Sequence, residues 1–418
     1  MCYIANLVAR EVFDSRADLT LEVEVILNTG KAGRAIVPSG CSKGKHEAVE
    51  VRDNDLSRFE GKGVLKAINV VTHIIKPHMV GLSPFDQRAI DEILLALDGT
   101  PNKQHLGANA VLGVSLAVAK AAANQLTMSL CDYIGQDCVK SMPLPIFSML
   151  SGGMHGDGNA DFQDFQIIPQ GAADLEEALQ IGKNVYRALK SILLQRGMCT
   201  GASGTGGLLP VLSSNEEGLR MLEQAIDLAG YCPGDDIGLS MDIAAEMFYA
   251  NGVYHLKSEG RTVSTCEFTQ YIEQLCDRYP IALIEDPLGE DDVEGWVALT
   301  QKLGDRIELV GDDLFTTNNA RFQLGLSLKM ANAILVKPNQ IGTLTETLDM
   351  IRFAQASGYS VVMSRRSGET EDTCISDLAV ATCCNKVKFG SLARLESMAK
   401  YNQLLRLKES LGDQALYR

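Results

Sequence analysis

The sequence predicts an α/β protein in two parts: a small N-terminal α+β domain and a C-terminal modified (β/α)8 TIM-like barrel. Three observations predict it. A chain of 418 residues suits one small domain beside a large barrel. Residues 4–27 alternate apolar and polar side chains, the mark of half-buried strands. After about residue 140, short apolar runs that each end in a charged residue alternate with helical stretches, at roughly 25 residues per unit.

Taken in order, the first strands are clearest in LTLEVEVIL (19–27), and Asn28, Thr29 and Gly30 supply a turn, so an antiparallel sheet opens the chain. A Gly/Ser loop, PSGCSKGKHE (38–47), follows. Helical periodicity then covers 63–80, 84–98 and 106–134. The uncharged stretch between Lys103 and Lys120 is broken by Gly, Asn and Ser, and reads as a buried helix rather than a membrane span. Pro143 and Pro145 mark a boundary, which sets the domains at 1–134 and 135–418. Beyond it the apolar runs end at Asp242, Glu285, Asp312, Lys337, Arg366 and Lys388, with helical patterns between them. A charge at the end of every strand is costly in a core, yet natural where all strand ends open onto one mouth, as in a barrel.

Composition narrows the function. Lys and Arg number 38 against 53 Asp and Glu, a net charge of −15. A surface this acidic repels phosphate backbones and anionic lipid, which argues against nucleic acid and membrane partners. The 11 cysteines show no CxxC spacing, so zinc ribbons and thioredoxin-like motifs are excluded; free thiols fit a reducing cytoplasm. The start, MCYIANLVAREVFDSR, lacks the layout of a signal peptide. The expected compartment is the cytoplasm.

The strand ends also carry chemistry. Asp242, Glu285 and Asp312 converge as three carboxylates, tolerable together only around a cation, and oxygen-only ligation suits Mg²⁺. Lys337, Arg366 and Lys388 come from the next three strands and face the metal, making a site for a small anionic substrate. A Lys among other cations loses its proton more readily, so one of them can serve as general base.

The chain resembles the enolase family over nearly its full length. The matching stretches are EVFDSR (11–16), TLEVEV (20–25), LGANA (106–110), SMD and AA within 240–245, IEDPL (284–288), VGDDLF (310–315), NQIGTLTET (339–347) after Lys337, RSGETED (366–372) and AKYNQLLR (399–406). The resemblance implies an N-terminal α+β cap on a modified barrel, assembled as a homodimer or a multiple of dimers. Carried over residue by residue, it implies metal ligands Asp242, Glu285 and Asp312, with Ser39 closing over a second Mg²⁺. It implies Lys337 as the base that removes the α-proton. His155, Gln163, Arg366, Ser367 and Lys388 take the anionic substrate, a phosphate or phosphonate.

The other half of the site departs from the family. The family's GDEGG carries the acid that protonates the leaving hydroxide; here the segment is SGTGG (203–207), with Thr205 at that position. The supporting Glu of QEF is Asp164 in QDF, and the His of SHRSGETED is Arg365. Cys41 and Lys43 stand where the family's mobile loop has small or neutral residues. Thr cannot titrate near neutral pH, and losing a general acid costs ~10²–10⁴ in rate. The intact metal ligands and Lys337 favour a repurposed lyase, with Thr205, Asp164 and Arg365 toward the leaving group, over an ordinary 2-phosphoglycerate dehydratase or an inert binding homologue. Arg365 and Lys43 add cations while Thr205 removes an anion, which suits a substrate with an extra anionic group, as in the formation of carboxyphosphonoenolpyruvate.

Overall fold

A computed structural model of the chain describes residues 1–41, 44–136, 140–156, 158 and 160–417. Strands β1 (Ile4–Phe13), β2 (Leu19–Leu27) and β3 (Ala32–Ile36) form the expected antiparallel sheet, in that order. Its alternation is that of a sheet with one face on a core. Leu21, Val23, Val25 and Leu27 are buried, while Arg10 reaches across to Glu22 and Glu24. Helix α1 (Gln87–Asp98) and the almost wholly buried α2 (Ala108–Gln125) lie behind it. The close approach of α2 to the sheet needs small residues. A Cβ on Gly33 would stand 2.1 Å from the Ala121 backbone nitrogen. The helix expected over 106–134 is interrupted at Thr127, which takes a φ of 58°, and a short α3 (Leu130–Gly135) follows.

The second part is the expected barrel. Its strands are β4 (Leu144–Pro145), β5 (Phe147–Ser151), β6 (Asp164–Ile168), β7 (Gly238–Asp242), β8 (Ile281–Glu285), β9 (Glu308–Gly311), β10 (Ala333–Val336), β11 (Ser360–Ser364) and β12 (Lys386–Lys388). Among the described residues these nine make one sheet in the order β4-β12-β11-β10-β9-β8-β7-β6-β5. Only Ile146 separates β4 from β5, so the two edges of the sheet are one stretch of chain and the sheet comes nearly full circle. Ile146, Ile168, Leu283, Val310, Ala333, Leu335 and Val362 fill its interior.

Two features depart from a uniform repeat. Strand β6 runs antiparallel to both neighbours, so its first residue, Asp164, sits at the same end as the last residues of the parallel strands. The long interval between Asp242 and Glu285 holds a small three-stranded antiparallel sheet at 249–264 before the next helix, Thr265–Arg278. That helix opens on a capping box formed by Ser264 and Glu267.

A buried ion pair docks the two parts. Lys120 on α2 lies 2.6 Å from both carboxylate oxygens of Asp372, which also accepts from the Ile36 backbone N–H. This contact brings the segment after β3, including Ser39, over the barrel mouth. No helix among the described residues is long and apolar enough to cross a membrane.

Candidate active site

The ends of β7 to β12 and the start of β6 meet around a small cavity of about 50 Å³. Asp242, Glu285 and Lys388 are the last residues of their strands; Asp312 and Lys337 follow theirs immediately, and Arg366 comes two residues after β11. Every residue singled out from the sequence lines this cavity except Ser39 and the exposed Cys41, which flank the lining Gly40, and Lys43, which lies outside the described residues.

One side of the cavity is a lattice of buried opposite charges. The Lys388 ammonium bridges Asp242 Oδ2 at 2.7 Å and Glu285 Oε2 at 2.6 Å, and Gln163 also donates to Asp242, at 3.1 Å. Burial and the neighbouring Asp242 push the Glu285 carboxyl well above its usual range, while Asp242 and Glu285 hold the Lys388 proton tightly against the opposing pull of burial. Lys337 pairs with Asp312 through Oδ2, and Gln340 donates to the other oxygen at 2.9 Å. Burial opposes ionisation of Asp312, but Lys337 holds it below the usual carboxylate range. Thr317 locks the geometry: its hydroxyl accepts from the Lys337 backbone N–H at 3.0 Å and donates to the Gln340 carbonyl at 2.8 Å.

These groups suit a hard divalent cation. The donors are carboxylate oxygens, and two ammonium groups already stand among them to balance their charge. Among the described residues, the three acids whose oxygens come within 4.8 Å of one another are Asp286, Asp312 and Asp313, rather than the expected trio. The reason is local. Asp286 spends its two oxygens on the backbone N–H groups of Asp312 and Asp313, which draws the end of β9 against the end of β8. Asp242 and Glu285 are drawn instead to Lys388.

The far side is different in kind. Asp164 is fully buried; its Oδ2 meets His155 Nδ1 at 2.8 Å and its Oδ1 accepts from Ser151 at 2.7 Å. Thr205 lies 3.5 Å from the same Oδ1, and the Ser203 hydroxyl is 2.9 Å from both Ser151 and Thr205. Burial pushes the Asp164 carboxyl up, and His155 more than offsets it, leaving the acid below its usual range.

Arg365 does not extend into this space as a free cation. It is buried, and its fork donates to the Arg366 carbonyl at 2.9 Å, Ser397 Oγ at 2.7 Å, and the carbonyls of Gly204 and Ser367 at 3.1 and 3.2 Å. Glu396 lies 3.6 Å away. The cation counted for a substrate from the sequence is thus engaged by the chain. Ser39 is likewise engaged: its backbone pairs with Gly368 and its hydroxyl accepts from Arg16 at 2.7 Å. The Ser367 hydroxyl accepts from the Cys41 backbone N–H at 2.8 Å.

Sequence reasoning missed several members of the site, Glu47 and Gln340 foremost. Glu47 takes Arg366 in a two-pronged ion pair, at 2.9 and 3.2 Å, and fastens the 38–47 loop to the barrel. Gln340 orients Asp312. The available signals were a carboxylate closing the Gly/Ser loop and an amide three residues after Lys337.

Comparison with known families accounts for almost every residue. Residues 4–134 match the family model described as enolase, N-terminal domain. Residues 139–418 match the one described as enolase, C-terminal TIM barrel domain.

Proposed function

The chain belongs to the enolase family, a group of Mg²⁺-dependent lyases, and from that premise we propose that it is a lyase with a substrate altered from 2-phosphoglycerate. The proposed reaction removes the proton α to a carboxylate and eliminates a β-group, as water, from a phosphorylated or phosphonate acid. Formation of carboxyphosphonoenolpyruvate is an example of the type. The observation that carries the reading is the contrast between the two sides of one cavity. Lys337, Lys388, Asp242, Glu285 and Asp312 stand together, while the carboxyl of the leaving side gives way to the hydroxyls of Thr205, Ser203 and Ser151.

Asp242, Glu285 and Asp312 would hold Mg²⁺, with Ser39 assigned to a second ion. When bound, Mg²⁺ supplies positive charge to the substrate carboxylate and to the enolate that grows on it. The chain's own residues do the rest. Lys337 takes the α-proton. Lys388, no longer shared between Asp242 and Glu285, faces the developing negative charge. Arg366 and Ser367 bind the phosphate or phosphonate, Gln163 and His155 border the substrate, and Arg365 shapes the leaving side by tying Gly204 and Ser367 together. The partners proposed are a small anionic substrate and further copies of the chain in a homodimer or larger assembly, in the cytoplasm.

Lysine–carboxylate pairs this well buried are also compatible with an ordinary enolase, and an inert homologue would keep the fold. One assay separates them. With Mg²⁺ and 2-phosphoglycerate in D₂O, the proposed lyase exchanges the α-hydrogen faster than it forms phosphoenolpyruvate. Dehydration that keeps pace with exchange identifies an ordinary enolase, and absence of both signals removes the lyase reading for this substrate.

A further inference from the structure

The proposed reaction needs a proton at the leaving group, and Thr205, Ser203 and Ser151 cannot supply it. Hydroxyls of this kind do not ionise near neutral pH, so as acids they only pass on a proton received from elsewhere. Asp164 is the hub of the cluster. One oxygen serves the hydroxyls and the other serves His155.

His155 is the group there whose chemistry fits. Its ring borders the same cavity as Thr205 and Lys337. Nδ1 is committed to Asp164, and among the described residues Nε2 has no hydrogen-bond partner. A carboxylate on one ring nitrogen fixes the tautomer and the ring orientation, leaving the other nitrogen to act. The backbone holds this arrangement. Gly152 N–H donates to the Gln163 carbonyl at 2.9 Å and Gly153 N–H to the Ala160 carbonyl at 3.0 Å, closing the turn that carries His155 against the start of β6. Gly153 sits at a φ of 48° with only 3.2 Å between a would-be Cβ and the Gln163 Cα, so the turn has little room to shift.

Resting on the lyase reading above, we propose that His155 is the catalytic acid of the leaving side, held in place by Asp164 as a positioning residue, in a role the family gives to the carboxyl at the Thr205 position. Lys337, once its ammonium has given the proton it shares with Asp312 to solvent, takes the α-proton, and the C–H electron pair becomes the second bond between the α- and β-carbons. The bond from the β-carbon to oxygen breaks with its pair leaving on oxygen, which receives the Nε2 proton and departs as water. Lys337 ends as an ammonium and His155 as a neutral ring still donating from Nδ1 to Asp164; proton exchange with solvent restores both.

The test combines a ring measurement with an isotope measurement on the Mg²⁺-loaded full-length protein. In ¹⁵N-histidine spectra, the His155 ring is identified by its loss in His155→Gln. Its neutral form is expected to carry the proton on Nδ1, and Asp164→Asn is expected to shift it toward Nε2. In D₂O with 2-phosphoglycerate, the ratio of elimination to α-exchange is expected to fall ~10²–10⁴-fold in His155→Gln, as for loss of a general acid, and to fall in Asp164→Asn as well. A ring protonated on Nε2 alone, an unchanged ratio in His155→Gln, or exchange by the wild type with no elimination at all would overturn the assignment. A wild type that neither exchanges nor eliminates would overturn the lyase reading and the assignment with it. The two failures are thereby distinguished.

Discussion

Replacing Arg365 with Met tests whether this arginine belongs to the scaffold or to the substrate. Methionine keeps an unbranched apolar stem and removes the fork. Four acceptors then lose their donor: the carbonyls of Arg366, Gly204 and Ser367 and the Ser397 hydroxyl. Glu396 also loses its nearby cation. Buried acceptors left unpaired cost ~1–3 kcal/mol each, which applies to the Arg366 carbonyl and Ser397. The Gly204 and Ser367 carbonyls are partly exposed, Ser367 also accepts from Ser15, and both lose less. Part of that is recovered because the guanidinium itself no longer has to be desolvated, the same burial that lowers its proton affinity. The net loss expected is ~3–5 kcal/mol, as for breaking one side of a buried charged pair. The only tryptophan, Trp296, is fully buried on a barrel helix, so its fluorescence in urea follows the barrel directly. Arg365→Lys keeps the charge without the fork and should rescue little of the loss. Stability within ~0.5 kcal/mol of wild type, the range of an uninvolved surface substitution, together with weakened substrate binding, would refute the reasoning and return Arg365 to the substrate.

Three further outcomes are expected. Lys337→Ala should abolish α-hydrogen exchange while circular dichroism remains that of the wild type; exchange that survives would remove Lys337 as the base. Mg²⁺ should raise the urea midpoint, with a stability gain of about 2.7 kcal/mol at a hundred times its Kd. EDTA should reverse the gain and Asp242→Asn should erase it, and an equal gain in that variant would place the ion elsewhere. Burial pushes the Asp377 carboxyl up from 3.8 to about 6, although Gln403 donates to both of its oxygens. An acid raised on folding contributes stability that is present below pH ~4 and lost as pH rises through ~6, a difference on the order of 3 kcal/mol. Asp377→Asn should therefore unfold at higher urea than wild type at pH 8 and lose that advantage near pH 4, a trend that parallel curves across the range would contradict.

How much of this was legible in the sequence depended on whether a signal is local. The charges closing six apolar runs were legible because a parallel barrel turns a position along each strand, its C-terminal end, into a shared place in space. Asp164 was harder to read from pattern. Its strand runs the opposite way, so its charge opens the apolar run and resembles an ordinary loop charge. Glu47 could not be placed by pattern at all, since its partner Arg366 lies 319 positions away. The two adjacent arginines show why counting charge is weaker than tracing donors. Arg366 turns toward Glu47 and Asn339, whereas Arg365 turns toward Ser397 and Gly204, and the sequence contains no cue to that split. The added positive charge inferred for the leaving side therefore shrinks once its donors are followed. What remains is the carboxylate absent at Thr205, and beside it a histidine held by Asp164. Selectivity on that side then follows more from a negative charge the substrate no longer meets than from a cation that grips it.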